Sequence, residues 1–247
     1  MNIKLIALAA VACTAFLPQL AQAQLAQAQT FTDNAANPVY AKGYSGQGGD
    51  TPGFGAFNAA AAGGSAGTFV ASASEAEAGN GNPGSIDSGG KSFGTFAQTP
   101  DAVSTVTRAF RVPSRASGLL PGDSFALDFV TGYNDGANGG GSAGVALVTA
   151  AGPVGDFHYQ SGNQYFFSGA AIPGLVYTTG ALHLVYTLTS ATTYSLKVTG
   201  AVAYSGTGTV TGPITGFQVQ QKNAGKMDPA HNAYFNNLSL NCVPKTP

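Results

Sequence analysis

The chain has 247 residues, enough for one large β domain or two small ones with a real hydrophobic core. Only 9% of residues are charged, and 10 Lys+Arg nearly balance 11 Asp+Glu, which excludes a nucleic-acid binder: no basic surface is available to neutralise a run of phosphates. The 35 glycines follow no G-X-Y period, which excludes collagen, and 44% hydrophobic content with 15 Phe and 10 Tyr excludes a disordered chain.

Met1-Asn2-Ile3-Lys4, an apolar run from Leu5 to Leu17, Pro18 and Ala21-Gln22-Ala23 have the layout of a secretory signal peptide. The run is shorter than the roughly 20 apolar residues of a membrane span, so no span is expected. Cleavage is predicted after Ala23, with Ala26-Gln27-Ala28 as a second A-x-A site. Ala12-Cys13 suggests a lipoprotein, but Ala10 stands where a larger aliphatic is usual. Residues 1–23 therefore read as the leader of a secreted or surface protein. Residues 24–37 read as a flexible N-terminal segment, 38–242 as a single β-sandwich domain and 243–247 as a tail. Loss of the leader removes Lys4 and Cys13 and leaves Cys242 as the single cysteine. Stability must then come from the core rather than from disulfides. Cys242 is either a tolerated tail thiol or one half of an intermolecular bridge.

Strand patterns follow one another with Gly, Pro, Asn and Asp between them. The first candidates are Val39–Tyr44, Thr68–Ser72, Ser92–Ala97 and Val103–Val112. Phe125, Leu127 and Phe129 then alternate with Ala126 and Asp128. Gly144–Thr149, Asp156–Tyr159 and Gln164–Phe167 come next. The clearest hairpin is Ala181–Thr189 with Thr192–Thr199, where Leu182, Leu184, Tyr186 and Leu188 answer Tyr194, Leu196 and Val198. Val202–Gly206, Thr215–Gln221 and Ala233–Leu240 complete the set. Residues 43–67 and 79–90 read as long glycine-rich loops, with Phe54, Phe57 and Phe69 expected to pack part of the first onto a sheet. Ala59–Ala62 is helical by propensity but stops at Gly63-Gly64. Many short strands without helical crossovers predict an all-β fold, an antiparallel β-sandwich.

The order of certain phrases carries a resemblance. Lys91-Ser92-Phe93-Gly94-Thr95-Phe96-Ala97 is followed by Gly122-Asp123-Ser124-Phe125-Ala126-Leu127-Asp128-Phe129, Gly144-Val145-Ala146-Leu147, the 182–198 hairpin and Ala233-Tyr234-Phe235-Asn236-Asn237-Leu238-Ser239-Leu240. Over residues 90–241 this resembles bacterial secreted domains of the concanavalin A/laminin-G-like jelly-roll type. Such domains occur in exosortase-sorted (PEP-CTERM) surface proteins. Those proteins continue into Val-Pro-Glu-Pro, an apolar span and a basic end, whereas here Val243-Pro244-Lys245-Thr246-Pro247 lacks that sorting tail. The resemblance implies a jelly roll, an exopolysaccharide-rich setting and glycan binding.

Short motifs offer little chemistry. Gly79-Asn80-Gly81-Asn82-Pro83-Gly84 matches G-x-G-x-x-G, and Gly63-Gly64-Ser65-Ala66-Gly67 and Gly140-Gly141-Ser142-Ala143-Gly144 match G-x-S-x-G. None sits between a strand and a helix, as the phosphate loop and the nucleophile elbow both require. Glycoside hydrolysis needs two carboxylates about 5–5.5 or 6.5–9.5 Å apart. The only glutamates, Glu75 and Glu77, share a face if extended but have no third acid after them. The chain is therefore expected not to be an enzyme, with a glycan-active hydrolase as the disfavoured alternative.

Asp128, Asn134 and Asp135 are hard-oxygen candidates for Ca²⁺, the one cofactor considered. Tyr133, Asn134, His158, Tyr159, Asn163 and Tyr165 fall beside turns and are the expected ligand-binding set at a sandwich rim. Ring faces there would stack on sugar C–H groups, and amides would bond hydroxyls. The absence of Trp removes the usual platform. The expected partner is a polysaccharide or cell-surface glycan. The alternative is a structural subunit self-associating through edge strands in an extracellular fibre or matrix.

Overall fold

The computed structural model describes residues 27–113, 115, 118–134, 140–162, 164–225 and 227–244. In chain order the strands begin with β1 (Gln29–Asp33), β2 (Gly53–Ala62), β3 (Ala66–Ala71), β4 (Ser92–Ala97) and β5 (Val103–Arg111). They continue with β6 (Ser124–Val130), β7 (Ser142–Thr149), β8 (Gly152–Gln160), β9 (Gln164–Phe167) and β10 (Ala170–Ala171). Last come β11 (Leu182–Leu188), β12 (Thr193–Gly200), β13 (Tyr204–Thr209), β14 (Gly216–Lys222) and β15 (Ala233–Cys242). The first sheet is ordered β13-β12-β11-β6-β15-β4-β3, with β1 paired to the second half of β15; the second is ordered β10-β9-β8-β7-β14-β5-β2. Neighbouring strands are antiparallel throughout. The molecule is a two-layer antiparallel β-sandwich.

Period-two alternation builds the core. Leu182, Leu184, Tyr186 and Leu188 of β11 point inward beside Tyr194, Leu196 and Val198 of β12 and Phe125, Leu127 and Phe129 of β6. From the second sheet Val145, Leu147, Phe157, Phe217 and Val219 meet them. Tyr40, Tyr44, Phe57, Phe93 and Phe235 close one end with ring centroids 4.9–6.0 Å apart, mostly edge to face.

The structure departs from the sequence reading in three places near the N-terminus. Residues 27–37, expected to be part of a flexible segment, include β1, which pairs from Gln29↔Cys242 to Asp33↔Leu238. Val39–Tyr44 is not a strand: Pro38–Tyr40 is a 3-10 turn, begun by Asn37, whose side chain accepts from the Val39 amide. The glycine-rich stretch 43–67 contains the ten-residue strand β2, including Ala59–Ala62. Phe54 and Phe57 are three apart and would face opposite sides of a regular strand. A bulge shifts the pairing from Phe54↔Phe110 to Phe57↔Arg108, so both rings turn inward.

An ion pair is buried at this end of the molecule. Arg108 on β5 is buried, with Nη1 2.7 Å from Asp33 Oδ2, Nε donating to Gly55 O at 2.8 Å and Nη2 to Gly48 O at 3.1 Å. Its guanidinium lies 4.1 Å from the Phe57 ring centroid, and the Tyr40 hydroxyl donates to Asp33. The network ties β1 of one sheet to β5 of the other.

The two outward faces differ. Residues 72–90 fold over the first sheet, where Ala73, Ala76 and Ile86 bury Val130 and Tyr234. Asp87 pins this cover by accepting from Ser72 Oγ (2.6 Å), Ala73 N (3.0 Å) and Ser92 Oγ (2.6 Å). Glu77 is buried in it and accepts from Ser85 N at 2.7 Å, while Glu75 is exposed. The segment turns rather than extends, so the two glutamates do not share a face. Burial pushes the Glu77 carboxyl above the ordinary glutamate range. Cys242 is a core residue on β15, not a tail thiol, and burial raises its thiol to about 11. That position also withholds it from an intermolecular bridge. Among the described residues no helix is long and apolar enough to cross a membrane.

Candidate functional site

The outward face of the second sheet carries a polar trough. On β14 the inward residues are Phe217, Val219 and Gln221, so Gln218, Gln220 and Lys222 face out. On β8, Phe157 and Tyr159 are inward, so Asp156, His158 and Gln160 face out. Between these rows runs β7, whose outward positions are small: Ser142, Gly144 and Ala146. Register places Gly144 opposite Gln220 on one side and His158 on the other, Ser142 between Lys222 and Gln160, and Ala146 opposite Gln218. Long side chains on either side of short ones form a cavity of about 320 Å³ lined by these nine residues with Gly140 and Pro153. Gly144 is required by its neighbours: a Cβ there would strike the His158 Cβ and lie 2.6 Å from Phe157 O.

Three of the trough's side chains, those of Asp156, His158 and Gln220, are held by side-chain contacts. His158 Nδ1 is 2.6 Å from Asp156 Oδ2, and its ring stacks on Phe166 of β9 with centroids 5.1 Å apart and planes at 2°. A carboxylate only accepts, so Nδ1 carries the proton of the neutral ring and Nε2 is left as an acceptor. Gln220 Nε2 donates to Thr105 Oγ1 on β5 at 3.2 Å, which leaves its amide oxygen to accept. The site thus offers planar amides, an oriented imidazole and one ammonium. Asp156 is the single carboxylate lining it among the described residues.

The structure divides the residues expected to form one rim site. His158 is in the trough. Tyr133 is at the rim, 43% exposed, and packs edge-on to Tyr177 at 5.4 Å and His231 at 5.6 Å. Asn134 beside it is buried, with neither side-chain polar atom hydrogen-bonded among the described residues. Tyr159 and Tyr165 are corrected: both are core residues, 1% and 0% exposed, and present no ring face to solvent. Their rings continue inward from Tyr177, Tyr159 at 4.9 Å from it and Tyr165 a further 5.4 Å on. Burial pushes the Tyr177 phenol up to about 12 and that of Tyr165 higher. Asn163 lies outside the described residues.

Of the residues expected to hold calcium, Asp128 and Asn134 are among the described residues. Asp128 faces out on β6, where Oδ1 is 2.7 Å from His183 Nδ1 and Oδ2 accepts from Asn237 Nδ2 at 2.8 Å. Both its oxygens are engaged, Asn134 is buried, and Asp135 lies outside the described residues, as does the leader. No group of three or more His, Cys, Asp or Glu among the described residues is placed to hold an ion.

Sequence reasoning missed Gln218, Gln220, Lys222, Gly144 and Asp156. The signal was present as alternation: Phe217-Gln218-Val219-Gln220 and Asp156-Phe157-His158-Tyr159-Gln160 each put polar residues on one side.

An antiparallel sandwich of jelly-roll class, with a polar trough across one outward face, is what the fold and site define. No family model and no curated protein matches the chain. Among solved structures it is similar to an alginate lyase from Corynebacterium sp., at 7% identity over 57% of this chain and 76% of that one, with a TM-score of 0.40. It is also similar to the CBM2 module of the evolved Dit of Lactobacillus casei BL23 phage J-1, at 13% identity over 73% and 92%, with a TM-score of 0.42. A third is arcelin-5, a lectin-like defense protein from Phaseolus vulgaris, at 9% identity over 76% and 99%, with a TM-score of 0.39. At such identities the likeness concerns the layered β architecture alone.

Proposed function

We propose that this chain is an exported, non-catalytic glycan-binding protein and that its trough, rather than its rim, takes an uncharged polysaccharide. The observation that carries this reading is the row Gln220–Gly144–His158, where two polar side chains stand over a floor that excludes any side chain. Amide groups pair with neighbouring sugar hydroxyls as donor and acceptor, and the imidazole Nε2 accepts from a third. Lys222 and Asp156 offset one another in formal charge, which favours a neutral ligand over a uronate. The leader-like residues 1–23 support export.

The test is retention on immobilised dextran, xylan, laminarin and mannan, with alginate as the charged comparison. Wild type is expected to be retained on a neutral polymer, and Gln220→Ala and His158→Ala are each expected to weaken binding about three- to tenfold, the worth of one or two hydrogen bonds. Retention that survives both substitutions, or that occurs on alginate alone, overturns the reading.

A further inference from the structure

The trough does not end at Pro153. Pro153 and Asp156 also line a second, wider cleft of about 640 Å³, whose other walls are the Ser168-Gly169 turn, Tyr194 of β12 and Thr207–Thr209 of β13. It opens where the edge of the second sheet meets the edge of the first.

Asp156 belongs to both depressions. Its carboxylate holds His158 in the trough, and its carbonyl accepts from the Ser168 amide at 2.8 Å, fixing the turn that walls the cleft. Ser168 is exposed and has φ 49, a left-handed backbone that costs a non-glycine residue about 1–2 kcal/mol. A glycine would remove that cost, yet a serine stands here and sets its Oγ 3.3 Å from the Tyr194 hydroxyl. Space for the cleft also depends on side chains that are missing. A Cβ on Gly155 would lie 2.8 Å from the Tyr194 ring, and one on Gly208 would strike the Tyr194 hydroxyl. Thr207 and Thr209 are exposed on the far wall, and Asp156 is the one charged residue among the cleft's lining.

We propose that trough and cleft form one track, and that the protein binds the interior of a single neutral polysaccharide chain rather than its end. This rests on the trough reading above. From the Ser142 row to the Val148 row the trough extends roughly 20 Å along β7 at the usual strand rise, so a chain lying in it emerges at Pro153 onto the cleft. The hydroxyls of Ser168 and Thr207 then bond sugar units that the trough cannot reach.

The experiment is calorimetric titration with a ladder of oligosaccharides, disaccharide to decasaccharide, cut from the neutral polymer the protein retains. Wild-type affinity is expected to rise with length by about tenfold beyond the oligomer that fills the trough. The Ser168→Gly/Thr207→Val variant is expected to lose that gain while binding short oligomers as wild type does. Ser168→Gly relieves the backbone and Thr207→Val keeps the β-branch, so both preserve the fold, as a melting temperature no lower than that of wild type will register. A length gain that persists in the variant overturns the track and leaves the trough. Equal weakening at every length also overturns it. Failure of every oligomer to bind removes the trough reading and the track with it.

Discussion

Three buried ionisable residues show what single side chains do for this fold. Arg108 and Asp33 are both buried, and each satisfies the other across the two sheets. Taking one partner away leaves the other desolvated and unpaired, which costs about 3–5 kcal/mol. Arg108→Ala is therefore expected to lower stability in urea denaturation by that amount. The Asp33→Leu/Arg108→Met pair should cost clearly less than the two single changes added together, and full additivity would contradict a coupled pair. Glu77 has a pH signature. Its folded pKa is raised by burial, so the stability it contributes is complete below the ordinary glutamate value of 4.5 and is lost as pH rises through the raised one. Glu77→Gln should gain stability relative to wild type as pH climbs above 4.5, and a difference independent of pH would contradict it. Neither role was legible beforehand. In sequence, Arg108 is one charged letter in Val103-Ser104-Thr105-Val106-Thr107-Arg108, and its partner lies in a segment that reads as a loose lead-in.

At the scale of elements, legibility tracked regularity. The β11–β12 hairpin repeats its apolar residues at strict spacing, and its strands fall within a residue of the expected bounds. Two elements broke the pattern. β2 hides its alternation behind a bulge and ends in four alanines, and β1 has only the fragment Gln29-Thr30-Phe31-Thr32-Asp33 to announce itself. The same alternation was available to sort the aromatic residues of β8 and β9. Phe157 and Phe167 are inward, which sends Tyr159 and Tyr165 inward and His158 and Phe166 outward. Proximity to a turn did not decide which side each residue took. The small-residue row of β7 makes its own prediction. Gly144→Ala pushes a methyl group against His158 and the Phe157 carbonyl, an overpacking expected to cost about 1–3 kcal/mol and to displace the imidazole from Phe166. Ala146→Gly, at the next outward position, should leave that stacking intact in the histidine ring's NMR shifts.

Considered whole, the sandwich is asymmetric. One outward face is closed by residues 72–90, which bury Val130 and Tyr234. The other is left uncovered by the described residues across β14, β7 and β8, and its polar side chains are amides, an imidazole, a hydroxyl, an ammonium and a carboxylate. A glycine-rich composition serves both faces: it turns the covering loop on one and empties the floor at Gly144 on the other. The two-layer architecture was legible from many short alternating strands, whereas the choice of face depends on which loop folds back over which sheet, a long-range event with no local signature.

The trough and the rim around Tyr133 therefore make opposite forecasts for where a sugar lands. Backbone and side-chain NMR shifts, followed while a bound neutral oligosaccharide is titrated in, separate them directly. Binding in the trough predicts that the largest changes fall at Ser142, Gly144, His158, Gln218 and Gln220, with Tyr133 and Tyr177 unmoved. Changes centred on Tyr133 and Tyr177, with the β7 row silent, would contradict it.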